Sequence, residues 1–329
     1  MPARVFPWMV RVMWLLLPFT TGAAMGSALR PEPDPLRFIL AALAWAVWAA
    51  VLVATLVPHP VGLTALRCVA PGVAVTAAVC AASGRASVGV AAAGLVAAAA
   101  ATLVAMLAST GVWFVNGPAY PNERRFPLAI PGALLLGPLE LAWLLVVGAP
   151  VGAVVLLATG HWVAGPPAAV AAGACVWVLG RALHSLSRRW VVFVPAGLVL
   201  HDPASLLDPV LFRRQVVESL GPAPAGSDSL DLTERAMGLA LELRLIEKVP
   251  MTRVTPGRRR GEPGASARLL FTPTRPGAVL KEAASRRFPM TAAGAARGGS
   301  AGGPIRPPAD PPPTADQAAI PPPSTSAPS

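Results

Sequence analysis

The chain has little charge, very little lysine and few of the patterns that form catalytic or metal sites. Only 13% of its 329 residues are charged, whereas an ordinary soluble domain has about 25%. Its mean hydropathy is +0.58. Lysine occurs only at Lys248 and Lys281, so arginine carries almost all of the positive charge behind the net +11. These shortages argue against an ordinary soluble protein and favour one that lies largely in lipid.

Recognisable sites for chemistry are also missing. The three cysteines, Cys68, Cys80 and Cys175, lie in apolar stretches without CxxC or Cys/His spacing, so we interpret them as small buried hydrophobic residues. No GxSxG, Walker, HExxH or zinc-ligand pattern is present in the sequence. We therefore predict no metal, no cofactor and no catalytic residue. An intramembrane enzyme is the third hypothesis, and no catalytic set supports it.

Long apolar segments fill the first half of the chain. Each can cross about 30 Å of hydrocarbon at about 1.5 Å per residue. They predict a membrane α-helical bundle of about six transmembrane helices over residues 1–180, with spans at 6–28, 36–57, 61–82, 86–110, 133–158 and 162–180. The first segment has a second interpretation, a signal peptide, because it follows basic residues and ends in small ones.

The arginines beside these spans predict the topology. Because arginine-rich loops stay inside, Arg124, Arg125 and the group Arg181, Arg188 and Arg189 are expected in the cytoplasm, separated by two spans. An even number of helices then leaves both termini cytoplasmic in the plasma membrane. Up to residue 180, eight arginines stand against four acids, and beyond it nineteen basic residues stand against twelve acids. The more basic second part suits an anionic membrane surface.

Beyond residue 180 the apolar residues alternate, which predicts a small β-rich α+β cytoplasmic domain over 181–290. Trp190–Val194 and Leu198–His201 form the predicted first hairpin. Further strands are predicted at 211–217, 230–233, 238–247 and 268–272, followed by a helix over 276–287. The segment 238–247 also fits helical spacing, but its cleaner alternation favours a strand. Residues 291–329, rich in Pro, Ala, Gly and Ser, are predicted to form a disordered tail.

Two stretches carry a resemblance to a known fold. Ser187–Asp202, with the sequence SRRWVVFVPAGLVLHD, resembles the opening hairpin of the bacterial pleckstrin-homology-like (PH-like) domain, and Pro276–Ala283 is similar to its closing helix. The whole chain also resembles uncharacterised multi-pass membrane proteins of actinobacteria. The resemblance implies a membrane-associated scaffold or interaction module, and it implies no catalytic residue.

Glu140 is the only acid inside a predicted span, and it follows a kink-prone Gly-Pro pair. Counted from the cytoplasmic end of the span 133–158, it is expected near the midplane of the bilayer, where an isolated carboxylate is costly. Arg11 and Arg67 are the candidate partners, since both are expected in the cytoplasmic half of their spans. Two hypotheses follow: a proton or ion relay in a small transporter or channel-like protein, or a packing acid that is protonated or paired.

The loop of residues 111–131 holds both asparagines and the only tyrosine of the chain, which indicates a specified conformation. We predict that it docks on the domain formed by residues 190–287. One hypothesis is that it forms a recognition surface against the domain or a partner. The other is that it forms a turn made rigid by proline, whose arginines only determine the orientation of the chain in the membrane. The candidate recognition residues are Asn116, Tyr120, Asn122, Glu123, Arg124 and Arg125.

Arginines near the membrane suggest lipid contacts. The candidates for binding anionic headgroups are Arg188, Arg189, Arg258, Arg259 and Arg260, and the alternative is solvated charge that only sets orientation. Scarce lysine and the lack of an aromatic ladder or basic helix argue against nucleic acid as a partner. The leading hypothesis is a non-enzymatic plasma-membrane protein that presents its domain to membrane lipids or to a protein partner, whose identity the sequence does not give.

Overall fold

The computed structural model describes residues 5–254 and 261–292. Apolar helices come first, followed by two β-sheets and a closing helix. The helices are α1 Val5–Leu16, α2 Thr21–Ala28, α3 Asp34–Leu56, α4 Pro60–Ala82, α5 Val88–Met106, α6 Ala108–Asn116, α7 Pro138–Ala158, α8 Gly165–Leu186 and α9 Pro276–Ser285. The strands are β1 Arg124–Pro127, β2 Trp190–Val194, β3 Gly197–His201, β4 Val210–Arg213, β5 Val217–Pro222, β6 Leu230–Asp231, β7 Leu241–Arg253 and β8 Glu262–Phe271.

Six helical segments among the described residues are long and apolar enough to cross a membrane, as the sequence predicts. The first, Phe6–Ala28, consists of α1 and α2 with a break at residues 17–20, where Pro18 removes a backbone donor. The fourth ends at Met106 and the fifth begins at Pro138, so both are shorter than predicted. The sixth starts later than predicted and continues to Leu186.

The helices form an antiparallel bundle. Short connections at 29–33, 57–59, 83–87 and 159–164 return the chain after each span. A buried cluster joins α1, α3, α4, α5 and α6, with Trp14, Leu63 and Phe114 among its most buried members. The helices α7 and α8 pack mainly on each other. The segments 57–59 and 107–137 and the end of α8 therefore share one end of the bundle.

The sheet domain has two four-stranded sheets, with orders β1-β2-β3-β4 and β5-β7-β8-β6. Side chains from both sheets and from α9 form one buried core, which includes Phe193, Leu220 and Leu280. The predicted hairpin is confirmed, the strand predicted at 238–247 begins only at Leu241, and the closing helix predicted over 276–287 ends at Ser285. The predicted strand 211–217 is instead divided into β4, a 3-10 turn and the start of β5. The predicted tail from residue 293 onward lies outside the described residues.

Candidate functional site

The junction between bundle and sheets is built from the segment that follows α6. Its residues Arg124–Pro127 form β1, which pairs antiparallel with β2 so that Arg124 lies opposite Phe193 and Pro127 opposite Trp190. Just beyond, the Ala129 N–H donates to the Thr272 carbonyl (2.8 Å). The predicted docking of this loop on the domain is confirmed, and the loop docks by supplying a strand to the sheet.

Asn116, the last residue of α6, holds the free edge of β1. Its side-chain Nδ2 donates to the carbonyls of Arg125 (2.7 Å) and Val112 (2.7 Å), and its Oδ1 accepts the Arg125 N–H (2.9 Å). The amide therefore offers β1 the donor and acceptor that a neighbouring strand would offer. Because Phe114 of the same helix is buried in the bundle core, Asn116 links that core directly to the sheet.

The other candidate residues of the loop divide into engaged and exposed groups. Glu123 forms an ion pair with Arg125 (3.0 Å), whose guanidinium lies 5.6 Å from the centre of the Trp190 ring. The Asn122 backbone carbonyl accepts a hydrogen bond from Arg286 (3.0 Å), which follows α9. The side chains of Tyr120, Asn122 and Arg124 are exposed. Asn116, Glu123 and Arg125 thus fasten the loop, and the exposed three remain candidates for contact with a partner.

A buried ion pair lies where α8 leads into the sheet. Arg189 Nε donates to Asp202 Oδ1 (2.6 Å), Nη2 donates to Oδ2 (2.8 Å), and Nη1 donates to the Ala129 carbonyl (2.8 Å). The side chains of Arg189 and Asp202 are 2% and 0% exposed. The prediction that Arg189 binds a lipid headgroup is therefore wrong, because its guanidinium is buried and bonded within the chain.

The other candidate headgroup ligands have different outcomes. Arg188 is exposed directly after α8, so it stays a candidate. Arg258–Arg260 lie outside the described residues. Arg188 is also near His201, whose pKa is lowered by burial and then by the charges of Arg188 and Arg125, against the opposing effect of Asp202. Positive charge is therefore concentrated at this end of α8.

The two arginines within candidate spans, Arg11 and Arg67, bind the ends of neighbouring helices. Arg11 donates through Nε and Nη2 to the Thr55 carbonyl in the last turn of α3 (3.2 and 3.1 Å). Arg67 donates through Nε to the Ala105 carbonyl in the last turn of α5 (3.4 Å). The last carbonyls of a helix have no partner within it and lie at the negative end of its dipole. Each arginine thus satisfies a helix end rather than a carboxylate.

The predicted position of Glu140 in the middle of its span is wrong, because Glu140 lies in the first turn of the candidate span Pro138–Ala158. Its span begins at Pro138 because residues 132–135 form a 3-10 helix instead of the first turn of α7. Glu140 lies in the first turn of α7, is exposed, and accepts the Gly137 N–H through Oε2 (3.0 Å). No described residue forms an ion pair with it. Its position near the helix N-terminus suits a capping acid.

Close backbone contacts complete the junction. The Gly132 N–H donates to the Glu234 carbonyl (3.1 Å), and a Cβ on Gly132 would collide with the Arg235 carbonyl oxygen. Glu234 and Arg235 have positive φ values of 52° and 54°, which are uncommon for residues with side chains. Partial burial, the charge of Asp202 and, more weakly, that of Asp231 raise the pKa of Glu234, which is still exposed, while Arg189 opposes them. The segment before α7 is thus fixed to the domain.

A second buried acid lies in the sheet away from the junction. Glu242 is 2% exposed and accepts hydrogen bonds from Ser227 (2.8 Å), Ser229 (2.6 Å) and Arg244 (2.7 Å). Burial on its own raises the pKa of Glu242, but the hydrogen bonds of the two serines and the charge of Arg244 outweigh it and lower the pKa. This satisfied network indicates a structural role.

The described residues offer no obvious chemical centre. They contain no group of three or more His, Cys, Asp and Glu residues that could hold a metal ion. A crevice of about 370 Å³ lies between the β2–β3 turn and Arg213–Gln215, and one of about 140 Å³ lies beside Ser205 and Glu234. Neither combines a nucleophile with a base and its orienting partner, so the junction remains the candidate site.

Sequence reasoning missed Asp202, although the hairpin contains a signal for it. Trp190 lies opposite His201 in the register of β2 and β3. The next residues outward on the two strands are Arg189 and Asp202, so this register brings opposite charges together at the open end of the hairpin. The ion pair could have been predicted from the hairpin, but not its burial, which depends on the segment around Ala129.

No protein-family model matches the chain, and no curated protein or solved structure is significantly similar to it.

Proposed function

We propose that the chain is a non-enzymatic integral protein of the plasma membrane that holds a cytoplasmic PH-like domain in a fixed orientation for interaction with protein or lipid. The observation that carries the proposal is the pairing of β1 with β2. A domain connected only through α8 could turn about its linker, whereas this one has a second connection through the sheet itself. A fixed presentation of this kind suits a scaffold.

The helices support the membrane part of the proposal. Six segments have the required length and apolarity, and Trp14 of the first is buried in the bundle core. That packing favours a retained helix over a cleaved signal peptide. At the end that bears the sheet domain lie Arg124, Arg125, Arg181 and Arg188, and at the opposite end acids accompany Arg30, Arg37 and Arg85. This asymmetry supports a cytoplasmic domain with both termini inside.

The domain architecture supports a PH-like interaction module. Two four-stranded sheets share one core, and α9 contributes Val279 and Leu280 to it. This agrees with the resemblance of the opening hairpin and closing helix. The exposed Tyr120, just before β1, and the exposed Arg124, its first residue, provide a surface for a partner. The position of Glu140 at a helix end gives no specific support to the transporter alternative.

The orientation of the domain can be tested by spin-label mobility in the full-length chain in lipid nanodiscs. A nitroxide at Glu218, exposed on β5, should report motion as slow as that of a nitroxide on α3. Fast independent motion of the domain label would contradict the fixed presentation. Labels at the ends of the bundle, probed from each side of sealed vesicles, should place Arg85 opposite the domain.

The transporter alternative can be tested separately by cysteine accessibility. Val147 lies deeper in α7, with its Cγ1 only 3.1 Å from the position that a Cβ on Gly72 would take. A cysteine at Val147 should resist water-soluble reagents, whereas one at Leu136, which is 88% exposed before α7, should react. Labelling at Val147 together with Glu140-dependent ion flux in proteoliposomes would favour transport.

A further inference from the structure

One face of the sheet β1-β2-β3-β4 is turned toward the helices. Alternate residues of a strand point to the same side, so Trp190 and Val192 share this face, and Arg125 joins them as the partner of Val192. Trp190 packs against the bundle core. The backbone of Arg125 is held by Asn116 of α6. This part of the face is the interface between the domain and the helices.

The same face continues across the sheet and becomes exposed. Val192 lies opposite Val199, which in turn lies opposite Leu211 of the edge strand β4. Exposure increases along this row, from 7% at Val192 to 42% at Leu211. The row thus begins on the side of the sheet joined to α6 and ends on an uncovered apolar side chain.

Basic residues accompany the uncovered part. Arg213 lies two residues after Leu211, hence on the same face, and is exposed. Arg188, also exposed, follows α8 and lies near His201, which is on this face opposite Trp190. An apolar centre with cations beside it, at the end of a membrane bundle, has the chemistry of an interfacial surface.

We propose that Val199, Leu211 and Arg213, with Arg188 beside them, rest on the anionic headgroup layer of the membrane next to the bundle. Leu211 enters the interface, and the two arginines bind lipid phosphates. Two observations support the bilayer as occupant: the face is continuous with the helix–domain interface, and its charge complements anionic lipid. The inference rests on the proposed membrane-spanning function, and it names the lipid surface of the domain.

The test uses the full-length chain with its three cysteines replaced, in nanodiscs of phosphatidylcholine and phosphatidylglycerol. Fluorophores are placed singly at Leu211, at Ile246 as a control on the other sheet (71% exposed), and at Val53 on α3 (59% exposed). Nitroxide lipids should quench the Leu211 and Val53 labels and spare the Ile246 label. Arg213→Gln, or nanodiscs of phosphatidylcholine alone, should reduce quenching at Leu211 only.

Two results would overturn the inference. If iodide quenches Leu211 as strongly as Ile246 while lipid nitroxides do not, the face lies in water. If neither quencher reaches Leu211, protein covers it and the surface is a protein interface. In both cases, quenching of Val53 by lipid would leave the membrane-spanning proposal intact. Failure of lipid nitroxides to quench Val53 would contradict that proposal itself.

Discussion

The helical part and the sheet domain satisfy their inward-facing arginines, which are partly buried in the bundle and fully buried in the domain, in different ways. In the bundle, Arg11 and Arg67 bind backbone carbonyls in the last turns of α3 and α5. In the domain, Arg189 binds the carboxylate of Asp202 and one carbonyl. The reason is that the two parts differ in how many unpaired backbone carbonyls they offer as hydrogen-bond acceptors. A helix leaves its last carbonyls unpaired, whereas a sheet uses its own carbonyls in strand pairing.

This difference explains why Arg11 and Arg67 bind helix carbonyls and not the carboxylate of Glu140. A cation near a helix end is already stabilised by the helix dipole and its free carbonyls, so it needs no acid. Glu140 likewise uses the opposite, N-terminal end of α7 by accepting the Gly137 N–H. Arg11, Arg67 and Glu140 are thus matched to helix ends, whereas Arg189 and Asp202 are matched to each other.

The largest effect is expected from breaking the pair in the sheet domain. Asp202→Asn should destabilise the folded protein by about 3–5 kcal/mol, because it leaves the buried Arg189 without its counter-charge. Thermal unfolding and hydrogen exchange of the domain in nanodiscs measure the loss. Replacing both partners, Arg189→Met with Asp202→Leu, should recover most of it.

The matched control is the more exposed pair of Glu123 and Arg125, whose side chains are 23% and 17% exposed. Glu123→Gln should cost less than about 1 kcal/mol. Equal losses in the free energy of unfolding for Asp202→Asn and Glu123→Gln would contradict the prediction, because they would mean that the burial of Asp202 has no energetic consequence.

A smaller effect is expected at Asn116, where a helix end and a sheet edge meet. Asn116→Ala leaves the N–H and carbonyl of Arg125 without their partners and should cost about 1–3 kcal/mol. Hydrogen exchange at the Arg125 amide should accelerate with it. Asn122→Ala is the control, since its exposed side chain makes no described hydrogen bond and only its carbonyl is used. Equal acceleration in both variants would contradict the role of Asn116.

In the bundle, Arg67→Met should cost about 1–2 kcal/mol, the scale of a cation at a helix C-terminus. Unfolding in detergent micelles measures this loss. Combined with Glu140→Gln, the two losses should add, because no contact joins the two residues. A coupling energy above about 1 kcal/mol would mean that the carboxylate and guanidinium do interact. The corresponding cycle for Arg189 and Asp202 should show strong coupling.

Much of the fold could be predicted because the apolar pattern is strong. Six apolar segments, the hairpin at 190–201 and the helix after Arg275 were legible from spacing alone. The ends of the spans were less predictable, since apolar residues continue beyond the fourth span into α6 and precede the fifth span in the 3-10 turn at 132–135. The depth of Glu140 depended on one such end, and an error of a few residues moved it from the helix terminus to the midplane.

The site was only partly predictable, because its composition was unusual but its strand was too short to recognise. The unusual composition of the loop that contains Asn116 and Arg125 indicated that it adopts a defined conformation. The structure places these two residues in contact. That the loop would become a strand was not visible, because Arg124–Pro127 is four residues long and contains a proline. Proline is tolerated there because β1 lies at the edge of the sheet.

The smallest expected effect is a change in the pH dependence of stability, which should differ in sign between Glu234 and Glu242 of the domain. The pKa of Glu234 is raised above its ordinary value of 4.5, so its contribution to stability is present below that pH and is lost as pH rises through the folded-state pKa. Glu234→Gln should therefore stabilise the protein slightly at pH 7 and have no effect near pH 4. The effect is small because the side chain is exposed.

Glu242 provides the opposite case, since its pKa is lowered below 4.5. Its contribution is present above pH 4.5 and is lost as pH falls through the folded-state pKa. Glu242→Gln should therefore destabilise the protein at pH 7 and reduce the loss of stability in acid. Thermal unfolding of both variants and the parent protein from pH 7 to pH 3 measures how the effect of each substitution on stability changes with pH. If the two variants shift stability with pH in the same direction, the serines and Arg244 do not hold Glu242 in its charged form.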